Sequence, residues 1–171
     1  MAIKGLNKVI KNLKNIKNSS VEINTLFIDL SLQWIRDRAN TLLDNDLRYA
    51  PHTFGTNIRE WEITITNNYG KLENRYENSA AIEFGIGTVG KNNPTTHAQK
   101  SSWQYNLGGN LRINDTGAWS FYDQRGEFWF NFKGYKGKSF LYDALMEYKD
   151  TKMYEIFYQQ AFDIVMRKVI R

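Results

Sequence analysis

The first eighteen residues combine apolar and cationic positions at the spacing of an amphipathic helix. Apolar side chains recur every three or four residues, at Ile3, Leu6, Val9, Ile10, Leu13 and Ile16. Lysines follow the neighbouring face, at Lys4, Lys8, Lys11, Lys14 and Lys17. A helix this short is marginal in water, so we expect residues 1–18 to dock on the rest of the domain or on another subunit. The lysines fit either a solvated face or an anionic partner.

A second helix is predicted over residues 19–48. Ser19 and Glu22 have the Ser-x-x-Glu spacing of a capping box, which marks a helix start. Apolar residues around Trp34 then recur at helical intervals. Pro51 sets the latest end of this helix, because the residue before a proline avoids the helical region.

Residues 60–132 contain stretches in which apolar and polar positions alternate, which is the period of a β-strand. Hairpins are predicted where turn sequences separate such stretches, at residues 67–70, 108–109 and 123–126. The glycine-rich segment over 85–101 shows no apolar periodicity, so we expect a long loop there.

The chain closes with a predicted helix over 139–170 that breaks near residues 149–151. Helices followed by strands and a further helix are typical of the α+β class. We therefore predict a single domain over 1–171. In it, an antiparallel β-sheet built from hairpins packs against the long N-terminal-half helix and the C-terminal helix.

Composition narrows the class of protein. The 171-residue chain is 42% hydrophobic and 24% charged, which fits a globular protein. Its net charge of +5 permits an anionic partner without requiring one. The absence of cysteine excludes disulfides and thiolate metal sites. No stretch approaches the ~18 apolar residues of a membrane span, so no membrane partner is expected.

No constellation of side chains indicates catalysis. The sequence from Gly85 to Gly90 matches the G-x-G-x-x-G pattern, but a dinucleotide site needs that pattern between a strand and a helix, and no helix is predicted there. His52 and His97 lie far apart in sequence, and a zinc site would need further ligands near them. We therefore expect no enzyme, no cofactor and no metal, and we assign no catalytic residue.

Aromatic residues crowd into the second half of the predicted sheet, where both faces of one strand carry rings. Either both faces are covered inside the fold, or one of them is an interface. The candidate partner or intersubunit residues are Leu6, Ile10, Leu13, Glu83, Phe84, Gly85, Trp103, Tyr105, Trp119 and Trp129. A nucleic-acid-binding protein that uses the lysine-rich helix and exposed rings is the alternative function.

Three segments, in order, resemble the head–tail joining family of long-tailed bacteriophages, whose members are also called neck or tail-completion proteins. Residues 49–59, Tyr-Ala-Pro-His-Thr-Phe-Gly-Thr-Asn-Ile-Arg, resemble the family's Ala-Pro, Thr-Gly, Leu-Arg run after the long helix. Residues 78–87, Asn-Ser-Ala-Ala-Ile-Glu-Phe-Gly-Ile-Gly, are similar to its Tyr-Ala-x-x-Glu-Phe-Gly-Thr-Gly. Residues 134–145 resemble its glycine-led Pro-Phe-x-x-Pro-Ala entry to the last helix.

The chain departs from the family pattern in two of these segments. Phe54 separates the threonine and glycine that the family places side by side. Both prolines of the third segment are absent, and Ser139 and Asp143 stand nearby instead. The order and spacing of the segments agree with the family over roughly residues 20–170.

The resemblance implies a structural virion protein without catalytic activity. It implies a homo-oligomeric ring, with six copies as the favoured number, in the neck between head and tail. The neighbours would be a head connector or stopper protein and a tail terminator or tube protein. DNA could pass through the ring without sequence-specific contact. The expected location is the host cytoplasm during assembly and then the head–tail interface of the virion.

Overall fold

One helix of 41 residues, α1 (Leu6–Asp46), replaces the two helices predicted over 1–18 and 19–48. The computed structural model describes residues 6–46, 59–76, 79–105, 117–122 and 128–169. The predicted cap at Ser19 is wrong, because its hydroxyl donates to the carbonyl of Asn15 at 2.8 Å, one turn earlier in the same helix. Neither glycine nor proline occurs between Leu6 and Asp46, so no residue breaks the helix.

The remaining elements alternate short strands with helices. After α1 come β1 (Trp61–Ile65), β2 (Gly70–Asn74), α2 (Ser79–Phe84), β3 (Gly85–Ile86), α3 (Gly87–Asn92), α4 (Thr96–Gln99), β4 (Trp119–Tyr122), β5 (Phe128–Phe132), β6 (Tyr135–Lys136), α5 (Phe140–Asp150) and α6 (Met153–Val169). This order confirms the predicted α+β class, with a long N-terminal helix and a helical C-terminus.

The strands in the described residues form three separate ladders of two strands each, where one sheet over 60–132 was expected. β1 pairs with β2, β3 with β6, and β4 with β5. In the last ladder Trp119 faces Phe132 and Phe121 faces Trp129, so β5 holds one extra residue. Asn131 takes a positive φ of 55° at this bulge. The hairpin predicted around residues 108–109 lies outside the described residues.

The long loop predicted over 85–101 is also wrong, because this segment contains β3, α3 and α4. Each is too short to show a periodicity: β3 has two residues, α3 six and α4 four. Thr95 marks the start of α4, where its side chain accepts a hydrogen bond from the Ala98 amide at 3.1 Å.

The break predicted in the closing helix is confirmed. α5 ends at Asp150 and α6 begins at Met153. Lys152 lies between them with a φ of 54°, a left-handed conformation in which the chain leaves one helix axis and starts another.

The chain groups into two compact units. The first comprises Met1–Ile35, Ile63–Leu72 and Glu147–Arg171, and the second comprises Arg36–Glu62 and Glu73–Met146. The chain passes from one unit to the other inside α1, inside the β1–β2 hairpin and inside α5. The single domain over 1–171 stays a prediction.

In the first unit, α6 packs along α1 in the opposite direction. The Lys168 ammonium lies 2.8 Å from the Glu22 carboxylate, and the Phe27 ring meets the Tyr158 ring edge-on at 5.7 Å. The buried cluster between the helices consists of Ile23, Ala161 and Val165, with Leu26, Phe27 and Val169 packed against it. The hairpin also lies on α1, as predicted. A side chain at Gly70 would come within 2.2 Å of Ile28.

A buried hydroxyl pair joins α1 to α5 in the same unit. Tyr148 is 8% exposed and donates to the Ser31 hydroxyl at 2.7 Å. Ser31 donates in turn to the Phe27 carbonyl at 2.7 Å. Burial raises the pKa of Tyr148, and the hydrogen bond with Ser31 opposes part of that rise.

Tyr148 should make the protein less stable in alkali. Below pH 10 this hydroxyl is neutral in both states and its contribution is fully present. Above pH 10 the unfolded chain ionises first, so we expect a loss approaching about 1.4 kcal/mol per pH unit. Tyr148→Phe should cost about 1 kcal/mol near neutrality and lose less stability above pH 10. Urea unfolding from pH 8 to pH 11 measures both, with exposed Tyr69→Phe as control. Parallel curves for wild type and Tyr148→Phe would contradict the assignment.

The second unit buries apolar side chains from α1, α2, α5 and the start of β4. Its most deeply buried apolar side chains are Ala39, Leu43, Ile82, Ala118, Trp119, Phe140 and Ala144. Trp61 at the start of β1 joins this core, since its indole N–H donates to Asn40 at 2.8 Å and its ring lies edge-on to Phe140.

Candidate functional site

Glu83, near the end of α2, is 4% exposed and holds the start of α5. Its Oε2 accepts the Leu141 amide at 2.9 Å, and its Oε1 accepts the Tyr142 amide at 3.0 Å. Amides in the first turn of a helix have no partner inside the helix, and a negative charge is favourable at that end. Glu83 therefore caps α5 from 58 residues earlier in the chain.

His97 in α4 makes the third hydrogen bond to the Glu83 carboxylate. Its Nδ1 lies 2.6 Å from Oε1. Because a carboxylate only accepts hydrogen bonds, the His97 Nδ1–H is the donor of this hydrogen bond. The His97 side chain is 31% exposed, whereas that of Glu83 is 5% exposed. The buried Glu83 carboxylate is therefore hydrogen-bonded to a histidine that is partly exposed to solvent.

Four rings line up around this pair, and we call them the aromatic wall: Trp103, Phe84, His97 and Tyr142. The His97 ring lies 4.6 Å from Phe84 on one side and is stacked 4.9 Å from Tyr142 on the other. Trp103 lies 5.0 Å from Phe84, and its indole N–H donates to the Gly85 carbonyl at 3.0 Å. An open groove beside the wall is lined by Phe84 and residues 101–104.

A junction of glycines places β3 and α3 directly against the segment around β6. A Cβ at Gly85 would lie 2.5 Å from the Gly137 nitrogen, and one at Gly137 would lie 2.3 Å from the Phe84 carbonyl carbon. A Cβ at Gly134 would lie 2.0 Å from the Ile86 oxygen. These distances are too short for any side chain, so the glycines allow two backbone segments to touch.

This contact explains the G-x-G-x-x-G pattern of residues 85–90. No helix begins at the third glycine, Gly90, as predicted, but a short helix, α3, begins at the second glycine, Gly87, and ends at Asn92. β3, however, pairs antiparallel with β6, whereas the nucleotide-binding unit uses parallel strands. The glycines of this pattern therefore have a packing role in the second unit.

The predicted interface residues lie in different environments. Ile10 and Leu13 are 42% and 60% exposed on α1. Phe84, Trp103 and Tyr105 are half-buried in the second unit, and burial raises the pKa of Tyr105. Glu83, Gly85 and Trp119 are buried, so they offer little surface to a partner and instead hold the fold together. Leu6 and Trp129 lie on α1 and β5, but their side chains are outside the described part.

Sequence reasoning missed three members of the site: His97, Lys100 and Tyr142. The Lys100 ammonium donates to the Tyr142 hydroxyl at 2.8 Å, which extends the cluster beyond the rings. Thr95 could have indicated the position of His97, because its side chain caps the start of α4, the short helix that contains His97. Nothing in sequence links Tyr142 to Glu83, since that contact depends on the tertiary fold.

The arrangement stabilises the first turn of α5, and it leaves the aromatic wall partly exposed to solvent. Within the described ranges, no group of three or more His, Asp or Glu side chains is placed to hold a metal ion. Among the helices that the structure describes, none has both the length and the apolar character that crossing a membrane requires. In comparisons with family models, curated proteins and solved structures, nothing matched this chain.

Proposed function

We propose that the chain is a structural neck or tail-completion subunit that forms a ring between the head connector and the tail of a long-tailed bacteriophage. The support comes from two of the three segments that resemble this family, residues 78–87 and 134–145. They meet in the second unit, although about fifty residues separate them in sequence.

The contacts between these two segments are specific. The Lys138 amide donates to the Ile82 carbonyl at 2.8 Å, and the Ser139 amide donates to the Glu83 carbonyl at 3.0 Å. The Glu83 carboxylate then caps α5, and Gly137 lies against Phe84. The Glu-Phe-Gly motif and the glycine-led helix entry therefore form one structural element. This joint role is the observation that carries the proposal, because independent chance matches have no reason to interlock. Most of the remaining segment, residues 49–59, lies outside the described residues.

The proposal predicts an oligomer of discrete size and a defined place on the particle. Sedimentation velocity and native mass spectrometry over a range of protein concentrations should show one closed species, with six copies favoured. Negative-stain images of that species should show rings. On phage particles assembled with a C-terminally tagged copy, gold-labelled antibody should mark the head–tail interface. Label on the capsid or tail fibre, or particles that lack the protein, would rule the proposal out.

Binding to nucleic acid is the alternative function, and one observation favours it. Lys11, Lys14 and Lys17 are all exposed on α1, where they could contact phosphates. The aromatic residues support nucleic-acid binding less well, because Trp119 is buried and the Trp103 indole N–H donates a hydrogen bond to the Gly85 carbonyl. Fluorescence anisotropy with a single-stranded and a duplex oligonucleotide distinguishes the two functions. A structural subunit should show only weak, salt-sensitive binding without sequence preference.

A further inference from the structure

Two segments of the second unit that contain no acidic residue lie against each other. Residues 84–105 and 131–142 together hold five lysines and neither aspartate nor glutamate. The Val89 amide donates to the Lys133 carbonyl at 3.0 Å, and β3 pairs with β6. The fold therefore brings two basic stretches of the sequence together in one part of the second unit.

Three of these lysines, Lys91, Lys133 and Lys136, form what we call the basic surface. All three are exposed. Lys133 and Lys136 are three residues apart, so their Cα atoms are separated by at most about 11 Å. Lys91 follows Val89 by two residues in α3, and Val89 is hydrogen-bonded to Lys133. The three side chains therefore start from neighbouring points of the backbone.

The positive charge of the basic surface is not neutralised within the described ranges. None of its three ammonium groups forms an ion pair with a residue that the structure describes. Other charges of the second unit are paired, as between Arg59 and Asp44 and between Arg75 and Glu62. Glu83, next to the first segment, is buried and its carboxylate accepts three hydrogen bonds. The basic surface is therefore available to an anionic partner.

The side chains around the basic surface are polar. No large apolar side chain is exposed in residues 84–105 or 131–142, and Asn92, Asn93 and Thr96 are exposed there. The centre of a protein–protein interface is apolar, whereas an interface with nucleic acid is more polar and much more positively charged. Asparagine and threonine side chains also donate to phosphate oxygens. These surroundings favour nucleic acid over an acidic protein as the partner.

The lysines of α1 have different surroundings. Lys11, Lys14 and Lys17 are exposed on this helix. Leu13 and Ile16, which lie among them in sequence, are 60% and 38% exposed. A phosphate backbone offers no apolar surface to cover these side chains, so the lysines of α1 suit nucleic acid less well than the basic surface does.

We infer that the basic surface binds the phosphate backbone of nucleic acid. Each lysine that contacts a phosphate releases condensed counterions, so binding weakens as the salt concentration rises. Contacts to phosphate carry no sequence information, so duplexes of different sequence should bind alike. This inference goes beyond the proposed ring, because it assigns a ligand to a surface of the second unit.

Two variants with the same net charge test the inference. One combines three substitutions in the basic surface: Lys91→Gln, Lys133→Gln and Lys136→Gln. The matched control combines three substitutions in α1: Lys11→Gln, Lys14→Gln and Lys17→Gln. Each variant lowers the net charge from +5 to +2, so general attraction to DNA falls equally in both. Fluorescence anisotropy with a labelled duplex of about 20 base pairs measures the Kd at salt concentrations from about 50 to 200 mM.

The basic-surface variant should bind the duplex at least about tenfold more weakly than the wild type at the lowest salt concentration. Its plot of log Kd against log salt should also be less steep by up to about 2.7, since each lost phosphate contact removes about 0.9. The α1 variant should stay close to the wild type in both measurements. Circular dichroism checks that each variant keeps its helices. If the triple variant does not, Lys91→Gln alone should reduce the slope by about 0.9.

Three results would overturn the inference. One is a wild-type chain that does not bind the duplex at the lowest salt concentration. Another is an α1 variant that loses as much affinity as the basic-surface variant. The third is polyglutamate that displaces the labelled duplex as well as unlabelled DNA does at equal concentration of negative charge, because an acidic protein would then fit the surface equally well. The ring is tested separately, by labelling particles, so either proposal can fail without the other.

Discussion

Replacing Gly134 with alanine should lower the unfolding free energy by roughly 3–6 kcal/mol. Two effects combine at this position. Gly134 has a φ of 94°, a region that side-chain-bearing residues rarely adopt. The new methyl group would also lie 2.0 Å from the Ile86 oxygen and 2.9 Å from the Gly87 Cα, and backbone atoms cannot move aside as a side chain can. Urea unfolding followed by tryptophan fluorescence measures the loss.

Gly117→Ala separates backbone strain from the clash. Gly117 also has a positive φ, 72°, but a methyl group there would meet only the Thr88 side chain, at 2.6 Å from its hydroxyl oxygen. That side chain can rotate, so we expect a cost of about 1–2 kcal/mol. If Gly134→Ala is no more damaging than Gly117→Ala, then the close contact between β3 and the segment before β6 does not control stability.

Glu83→Ala should cost roughly 3–5 kcal/mol, because it leaves two part-buried amides and a histidine without their acceptor. The isosteric Glu83→Gln should cost less, since one oxygen can still accept while the charge is lost. Both variants should loosen the first turn of α5. Hydrogen exchange should therefore speed up at the Leu141 and Tyr142 amides before it does so elsewhere in that helix.

Glu155→Ala provides the matched control. Glu155 is also an acidic residue in the first turn of a helix, but its side chain is 59% exposed and lies 3.8 Å from Lys152. Removing it should cost less than about 1 kcal/mol, because exposed charges are well solvated. Equal losses for Glu83→Ala and Glu155→Ala would show that burial of the cap contributes nothing.

The elements that were predictable from sequence are those with a strong local signal. The alternation around Trp61 predicted β1, and the turn composition at residues 123–126 predicted the β4–β5 hairpin. The break predicted near residues 149–151 corresponds to the end of α5 and the start of α6. The false cap at Ser19 failed for a physical reason. A serine hydroxyl inside a helix can bond to the preceding turn as readily as it can cap a new helix, and the sequence alone does not distinguish the two.

Less of the candidate site than of the fold could be predicted from the sequence. Glu83 and Phe84 were singled out because they stand in a motif, yet the role of Glu83 depends on α5, which lies far along the chain. The glycines of residues 85–90 suggested a loop because composition cannot reveal a backbone contact with Gly134 and Gly137. Trp119 looked like an interface residue because its ring is large, but that size suits the interior of the second unit.

The pairing of α1 with α6 has a consequence for how the chain folds during synthesis. The bond between Lys168 and Glu22 closes a loop of 146 residues, and that between Tyr148 and Ser31 closes one of 117. While the ribosome is still making the chain, α1 has left the exit tunnel but its partner has not been translated. Ile23 and Phe27 therefore stay exposed until α6 emerges, and non-local contacts of this kind form slowly. A chain that stops before α6 should be a substrate for chaperones and prone to aggregation, because its longest helix lacks the surface that covers it.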